Sequence, residues 1–263
     1  MHNNEFKTKY GPYACVTGAS SGIGRAFTFE LAQKGLHLIL NARNGERLTI
    51  LKTEIQAMHA TCKVVIVAGD VTEEVVQQEL VNMFASHDVG LLVASAGFGT
   101  SGVLGHTSLE TETKMLRVNC EAPLILTHLL IPHLKKRGQG GVILLGSLVG
   151  FQGTPYAAHY AATKAYIQTL AEGLYEELRP AGIDVLSVAP GPTHTGFAER
   201  AHMNMGKALM PELVARKALM AIGGGSTVQP GWLTKVLRGA VLTVPRAYRV
   251  KIMGKVMQGM TEH

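Results

Sequence analysis

The sequence predicts an α/β fold in which one parallel sheet carries helices on both faces. Short apolar runs alternate with amphipathic segments through most of the 263 residues, which is the pattern of repeated β-α-β units. The runs at 91–94 and 142–145 are apolar without interruption, as expected for strands that are buried on both faces. A glycine-rich turn separates the first such run from the first helical segment. Together these features predict a doubly wound sheet of the Rossmann type.

The alternation gives an order of elements along the chain. We predict strands at 13–17, 37–42, 62–67, 90–95, 141–146 and 183–189. Helices are predicted near 23–34, 46–59, 73–85, 109–136 (with a break) and 157–178. No linker and no internal repeat interrupts this order, so residues 1–263 are expected to form a single domain.

The glycine-rich turn is a candidate cofactor site. Glycine permits a positive φ and a close approach of the backbone to a ligand, and a helix N-terminus offers free N–H groups to a pyrophosphate. An ordinary turn between strand and helix is the alternative, but the strand, turn and helix context favours dinucleotide binding. The residues concerned are Gly18, Ser20, Ser21, Gly22, Ile23 and Gly24.

Three residues farther along form a candidate catalytic group. Tyr160 and Lys164 are four residues apart in a helical segment, so their side chains share one face. Ser147 follows the apolar run at 142–146, and the carboxyl end of a strand is where open α/β sheets place their chemistry. A cation about 4 Å away is worth about 4 kcal/mol at an effective dielectric of ~20, which would lower a phenol pKa by roughly 3 units. A solvated helix face is the alternative for the tyrosine and lysine pair.

The end of the second strand indicates which dinucleotide is preferred. Folds that bind NAD usually hold an acidic residue here for the ribose hydroxyls, whereas this chain has Ala42 followed by Arg43. A guanidinium bound to a phosphate contributes roughly 1.5 to 3 kcal/mol. The sequence therefore favours NADP(H), with a solvated surface cation as the alternative for Arg43.

Composition excludes several other classes of protein. The net charge of +6 arises in the segment 213–261, which carries eight basic residues and no acidic one, so the remainder is −2 and a nucleic-acid partner is not expected. No His or Cys spacing typical of a metal site occurs, and we expect no metal. The three cysteines lie in apolar surroundings, which fits buried thiols and a reducing cytoplasm. Residues 1–10 lack the apolar run of a signal peptide, and no run reaches the roughly 18 apolar residues of a membrane span.

The motifs together resemble the short-chain dehydrogenase/reductase family. The matching features occur in family order over roughly residues 12–200. They are Thr-Gly-x-x-x-Gly-x-Gly at 17–24, Asp70-Val71, Ala96-Gly97, Asn119, Ser147, Tyr160-x-x-x-Lys164 and Pro190-Gly191.

The resemblance implies roles for residues that the pattern alone does not explain. Asp70 would bond the adenine amino group and Val71 would border the ring, although an N-cap for the following helix is the alternative for Asp70. Ala96 and Gly97 would leave room for the cofactor, although the two asparagines that relatives often carry just before them are absent. Asn119 would hold a water molecule for proton relay.

The loop after the sixth strand would face the nicotinamide in such a protein. The family pattern Pro-Gly-x-x-x-Thr matches residues 190–195, and its backbone would meet the nicotinamide carboxamide. Cofactor contacts are accordingly expected from Pro190, Gly191, Thr193 and Thr195.

Two later segments are expected to shape the substrate side. Residues 196–225 are expected to include a substrate lid, whose apolar side chains would otherwise pack on the core. These side chains are Phe197, Met203, Met205, Leu209 and Met210.

Residues 232–263 are expected to form a basic helical extension with an apolar stripe at helical spacing. We favour packing of this stripe on the protein itself over reversible contact with an anionic membrane surface. The stripe consists of Val250, Met253, Val256, Met257 and Met260.

The resulting expectation is an NADP(H)-dependent oxidoreductase that interconverts a carbonyl compound and an alcohol, with an apolar substrate such as a steroid or a 3-oxoacyl compound. Tyr160 would be the general acid or base, helped by Ser147, Lys164 and Asn119. A protein that only senses NADP(H) is the alternative. A Ser-His-Asp hydrolase does not fit, because the residues around Ser147 do not form a Gly-x-Ser-x-Gly turn. By family resemblance we also expect a homodimer or homotetramer formed through the helices near 109–136 and 157–178.

Overall fold

The computed structural model describes residues 3–201, 208–231 and 244–261. Within these ranges seven strands form one parallel sheet in the order 3-2-1-4-5-6-7. The strands are β1 (Tyr13–Thr17), β2 (His37–Ala42), β3 (Val64–Ala68), β4 (Val89–Ala94), β5 (Gly140–Leu145), β6 (Ile183–Val188) and β7 (Thr227–Val228).

Helices connect the strands and cover the sheet. They are α1 (Asn3–Tyr10), α2 (Gly22–Gln33), α3 (Gly45–Met58), α4 (Glu74–Ser86), α5 (Leu109–Leu116), α6 (Ala122–Arg137), α7 (Ala158–Leu178), α8 (Phe197–Arg200), α9 (Pro211–Ala221) and α10 (Arg246–Thr261). A π-helical turn at Arg117–Glu121 joins α5 to α6, and a 3-10 turn at Leu148–Phe151 follows β5.

The strands place alternate side chains in two separate cores. Val16, Leu40 and Val93 belong to a core on the face covered by α1, α2, α3 and α9. Their neighbours Cys15, Ile39 and Leu92 belong to the core on the other face, under α4, α6 and α7. Because both faces of the sheet are buried, the strands need continuous apolar sequence. This is why they could be predicted from the sequence. The predicted doubly wound α/β fold is confirmed.

Several elements were not predicted. Helix α1 is polar overall, but Phe6 and Tyr10 are fully buried in it. The Tyr10 hydroxyl donates a hydrogen bond of 2.5 Å to Asp184 Oδ2, and Lys9 pairs with the same carboxylate. Strand β7 has only two residues, too few for a recognisable run. The predicted break in the helix at 109–136 is the π-helical turn.

Helix α9 lies within the segment 196–225 that was expected to include the lid, but it packs in the core. Its residues Val214, Ala215, Ala218 and Leu219 are buried in the core beside α2. Residues 211–221 are therefore part of the body of the fold, and only residues before Pro211 remain candidates for a lid. Met203 and Met205 lie outside the described residues.

All three cysteines are free and buried, as expected for small apolar side chains. Among the residues that the structure describes, no helix combines the length and hydropathy that crossing a membrane requires.

Candidate active site

A large cleft opens at the carboxyl ends of the central strands. Its volume is about 990 Å³, and it is lined by the residues that follow β1, β2, β3, β4, β5 and β6. The sheet order reverses between β1 and β4, and this reversal leaves a crevice because the connections leave the two strands in opposite directions. The predicted cofactor and catalytic residues meet in this one cleft, except Asn119, which is buried behind its wall.

The glycine turn is shaped for close approach. Gly18 and Gly22 have φ values of +65° and +53°, a backbone conformation that favours glycine. A Cβ atom on Gly24 would lie 2.3 Å from the Gly18 carbonyl oxygen, so a side chain there would break the turn. Ala96 N donates a hydrogen bond to Thr17 Oγ1, which ties the ends of β4 and β1 together under the cleft.

The far end of the cleft carries two cations. Arg43 follows β2 and is exposed, as expected, and Arg47 on the first turn of α3 lines the same end. The Asn44 side chain caps α3 by accepting a hydrogen bond from Arg47 N at 2.8 Å. Arg47 was not predicted; its position four residues after Arg43, at the start of a helix, is the signal that could have found it.

Asp70 is held in a fixed orientation at the wall of the cleft. Its Oδ1 accepts hydrogen bonds from Thr72 N and Thr72 Oγ1, and Oδ2 pairs with Lys114 at 3.4 Å. Burial alone would raise the pKa of Asp70, but the Thr72 hydrogen bonds and the Lys114 charge outweigh it and hold the pKa below its usual value. The N-cap of α4 is Glu73 rather than Asp70, so the alternative interpretation of Asp70 does not hold.

Asn119 connects the loop after β4 to helix α7. Its Oδ1 accepts a hydrogen bond from Phe98 N at 3.1 Å, and its Nδ2 donates to Phe98 O at 2.9 Å and to Thr163 Oγ1 at 3.0 Å. Thr163 Oγ1 in turn donates to the carbonyl of Tyr160 at 2.8 Å. Asn119 lies within the π-helical turn, a feature that is frequent at functional sites. The amide thus positions the loop and the helix that carries Tyr160.

The side of the cleft formed by the end of β5 and by α7 brings together Ser147, Tyr160 and Lys164. Ser147 lies directly after β5, while Tyr160 and Lys164 occupy successive turns of α7 and both line the cleft. The amine of Lys164 is buried, donates a hydrogen bond of 2.7 Å to the Leu145 carbonyl, and lies 5.8 Å from the centre of the Tyr160 ring.

Burial dominates the electrostatics of this group. It raises the pKa of Tyr160 to about 12, against which a hydrogen bond with Ser147 acts in the opposite direction. It lowers the pKa of Lys164 to about 8, because a desolvated ammonium is unfavourable. The lowering of the Tyr160 pKa that we expected from Lys164 is not present in this structure, where the amine is directed at the Leu145 carbonyl.

The loop after β6 closes the middle of the cleft. Pro190, Gly191, Thr193 and Thr195 line it. The Thr195 methyl group would lie 2.9 Å from a Cβ atom on Gly22, so this loop lies against the glycine turn. Thr193 forms an isolated parallel β-bridge with Leu209, which holds the backbone at Leu209 beside this loop.

Phe197 covers the catalytic side of the cleft. Its ring lies 5.2 Å from the Tyr160 ring. A Cβ atom on Gly99 would be 2.5 Å from Phe197 and 3.1 Å from Tyr160, so this contact depends on glycine at position 99. Among the expected lid side chains that the structure describes, Phe197 is the one that reaches the site.

Helix α10 places its apolar stripe against the body of the protein and toward the cleft. Met257 is 4% exposed, and Met253, Val256 and Met260 also line the cleft. The packing interpretation of this stripe, which the sequence favoured over a membrane surface, agrees with these contacts.

The comparisons with known proteins agree with this geometry. A family model described as short chain dehydrogenase matches residues 12–206. A very-long-chain 3-oxoacyl-CoA reductase-like protein of Arabidopsis thaliana is 34% identical over 231 residues, covering 85% of this chain and 74% of that protein. A 7beta-hydroxysteroid dehydrogenase of Clostridium sardiniense is 33% identical over 190 residues, covering 72% of each chain.

Solved structures show the same fold. A short-chain dehydrogenase from Sphingobium yanoikuyae in complex with NADPH has a TM-score of 0.80 and 26% identity, covering 90% of this chain and 98% of that one. A bulky-bulky ketone specific alcohol dehydrogenase from Comamonas testosteroni has a TM-score of 0.76 and 25% identity, covering 90% and 96%. The chain therefore belongs to the short-chain dehydrogenase/reductase family and is an oxidoreductase acting on a carbonyl or alcohol group.

Proposed function

We propose that the chain is an NADP(H)-dependent reductase of ketones or aldehydes, equivalently an alcohol dehydrogenase, with Tyr160 as the general acid or base. The observation that carries the proposal is the meeting of Ser147, Tyr160 and Lys164 in the same cleft as the glycine turn. A protein that only senses a dinucleotide would not need this group.

The residues have separable tasks. Bound NADP(H) supplies or accepts a hydride. The Tyr160 hydroxyl gives its proton to the carbonyl oxygen, and the Ser147 hydroxyl donates a hydrogen bond to the negative charge that develops there. Lys164 binds the ribose beside the nicotinamide and places its charge near the phenol. Asn119 holds α7 in position, and a relay water could use only the second lone pair of its Oδ1.

The environment of Tyr160 favours reduction at neutral pH. With a pKa of about 12 the phenol is protonated, which is the form that a reduction consumes. Alcohol oxidation needs the phenolate, and is therefore expected to become faster as the pH rises.

Support for NADP(H) comes from the far end of the cleft. Arg43 and Arg47 provide two guanidinium groups at the end of the cleft beyond β2, where Ala42 replaces the acidic residue of NAD-preferring folds. The glycine turn leaves the open backbone that a pyrophosphate requires. The Sphingobium yanoikuyae relative was solved with NADPH. The remaining expected contacts, from Asp70 and Val71 to the adenine and from Ala96, Gly97, Pro190, Gly191, Thr193 and Thr195 to the nicotinamide half, fit their positions in the cleft.

The substrate is proposed to be apolar and bulky. The catalytic end of the cleft is lined by apolar groups such as Phe151 and Phe197. The names of the relatives refer to a very-long-chain 3-oxoacyl-CoA, a hydroxysteroid and bulky-bulky ketones. We propose a substrate of this general kind, with the carbonyl carbon next to Tyr160.

The test is turnover of NADPH with a panel of ketones, aldehydes and alcohols, read as the change in cofactor absorbance. We expect NADPH-dependent reduction of at least one bulky ketone and weaker activity with NADH. Tight NADPH binding without turnover of any carbonyl compound would support the sensing alternative instead.

An oligomer built through α5, α6 and α7 is also proposed. Among the leucines of α6, Leu126 and Leu130 are buried in the monomer core, while Leu124 is 41% exposed. Leu116, Leu129 and Tyr166 are also exposed on these helices or their junction. An apolar surface of this kind favours pairing with a second copy.

Weak membrane contact is proposed only for the outer side of α10. Tyr248 is exposed on this side, one turn before Lys251 and two turns before Lys255. Binding to anionic but not to neutral vesicles, lost at high salt, would support this contact.

The three free thiols support a reducing compartment, for which we propose the cytoplasm.

A further inference from the structure

We propose that α10 is the distal wall of the substrate site and selects carbonyl compounds with a long or extended apolar body. This inference rests on the proposed function, because it concerns the substrate of the same cleft. It assigns a binding role to a segment that lies beyond the residues matched by the family model.

The first support is the position of the helix. Five apolar residues of α10 line the cleft that also contains Tyr160, and Met257 among them is almost fully buried. They are Ile252, Met253, Val256, Met257 and Met260. Three are methionines, whose flexible thioether side chains adapt to apolar ligands of different shape.

The second support is the way that α10 is anchored. Gly254 lies against Pro155, since a Cβ atom on it would be 3.2 Å from Pro155 Cγ. On the previous turn, Val250 lies 3.3 Å from the position of a Cβ atom on Gly153. Residues 153 and 155 belong to the loop that leads into α7 and hence to Tyr160. The wall is therefore attached to the element that carries the catalytic phenol.

The third support is the pair of aromatic side chains that line the cleft near Tyr160. Phe197 covers Tyr160 from the side of α8, and Phe151 lines the cleft at the start of the loop that α10 packs against. A carbonyl group at Tyr160 would have an apolar body directed between these aromatic rings and α10. Each methylene group buried on such a wall strengthens binding about fourfold.

The experiment compares a homologous series of straight-chain methyl ketones from butanone to dodecanone in three proteins. These are the wild type, Met257→Gln, and Tyr248→Gln as a matched change on the exposed side of the same helix. We expect kcat/KM of the wild type to rise with chain length. Met257→Gln should lose about tenfold or more with dodecanone and less than about twofold with butanone, while Tyr248→Gln should match the wild type.

A second pair of variants tests the anchoring. Gly254→Leu forces a side chain against Pro155, whereas Gly259→Leu adds one where no atom lies within 4 Å. We expect the first to lose the chain-length preference and the second to keep it. An unfolded Gly254→Leu protein would leave the Met257→Gln comparison to decide.

Binding without chemistry separates this inference from the proposed function. Decanamide, which is not reduced, is titrated by calorimetry into the NADPH-saturated wild type and Met257→Gln proteins. Tighter binding to the wild type supports the wall even if no ketone is turned over. The proposal is overturned by a flat chain-length dependence, by an equal loss on all ketones, or by equal decanamide affinity of the two proteins.

Discussion

Tyr160 is the residue on which the proposed proton transfer depends, because no other phenol of the described residues lines the cleft. Tyr160→Phe removes the hydroxyl and keeps the ring contact with Phe197. We expect turnover to fall by at least the ~100-fold typical of losing a general acid, with NADPH affinity near that of the wild type. Steady-state kinetics and cofactor fluorescence titration measure the two effects. Substantial remaining activity would remove Tyr160 from the role.

The lowered pKa of Lys164 should be detectable in the pH dependence of the free energy of unfolding. Its pKa is about 8 in the folded chain, against the value of 10.5 for a solvated lysine, which applies to the unfolded chain. Between these values the unfolded chain binds more protons, so the free energy of unfolding rises with pH, and the burial cost below pH 8 is at most about 3 kcal/mol.

Lys164→Met lacks this titration. Its free energy of unfolding, relative to that of the wild type, should therefore decrease as the pH is raised from about 7 to about 10. Urea unfolding at several pH values measures the difference. A constant difference would show that the lysine does not titrate in this window.

Arg43 and Ala42 should set the cofactor preference. Ala42→Asp with Arg43→Leu introduces a carboxylate that repels a 2′-phosphate and removes one of the two cations. We expect the KM for NADPH to rise about tenfold or more, and use of NADH to improve relative to NADPH. Arg179→Leu, at an exposed position that does not line the cleft, serves as the matched charge control. A wild-type protein that already prefers NADH would contradict the assignment.

At the scale of elements, α10 contains two glycines in different surroundings. Gly259 is exposed with no atom near its added Cβ, so Gly259→Ala should stabilise the helix by up to about 1 kcal/mol. Gly254→Ala gains the same propensity but meets Pro155 at 3.2 Å, so the gain should be reduced or reversed. Thermal unfolding of the two variants measures this. Equal stabilisation by both would show that α10 does not pack on the loop at 153–155.

The strands and the larger helices could be predicted because their sequence pattern is local. Each buried strand needs a continuous apolar run, and each covering helix needs an apolar face. Helix α1 was not predicted, because only Phe6 and Tyr10 face the core and the rest of the segment is polar. Strand β7 is recognised only by its pairing with β6, which no local pattern encodes.

The site was predicted in its residues but not in all its contacts. Motif residues occur at strand ends and on one helix face, so their convergence follows from topology. Lys114 joins the site through tertiary position, and the hydrogen bonds of the Asn119 amide with Phe98 depend on the path of a loop that no sequence spacing predicts. The placement of α10 over the cleft belongs to the same class of long-range contact.

For the molecule as a whole, the exposed leucines of the α5 to α7 region predict the oligomeric state. Leu124→Asp places a charge where a second copy would bury an apolar side chain, whereas Ile50→Asp changes a residue that is 60% exposed on α3, outside that region. We expect the first variant to dissociate and the second to assemble like the wild type. Light scattering over a range of concentrations measures both. A wild-type protein that stays monomeric at every concentration would exclude the interface.

The packing of α10 on residues 153–155 has a consequence for the order in which the molecule folds. These contacts join segments that are roughly one hundred residues apart, so their formation closes a longer loop, and costs more chain entropy, than the strand pairings do. The parallel pairing of β1, β2 and β4 involves shorter separations. Contacts of high sequence separation form late, so a refolding chain should acquire the dinucleotide half of its cleft first. In stopped-flow refolding, NADPH binding would then appear in an earlier phase than burial of the α10 methionines.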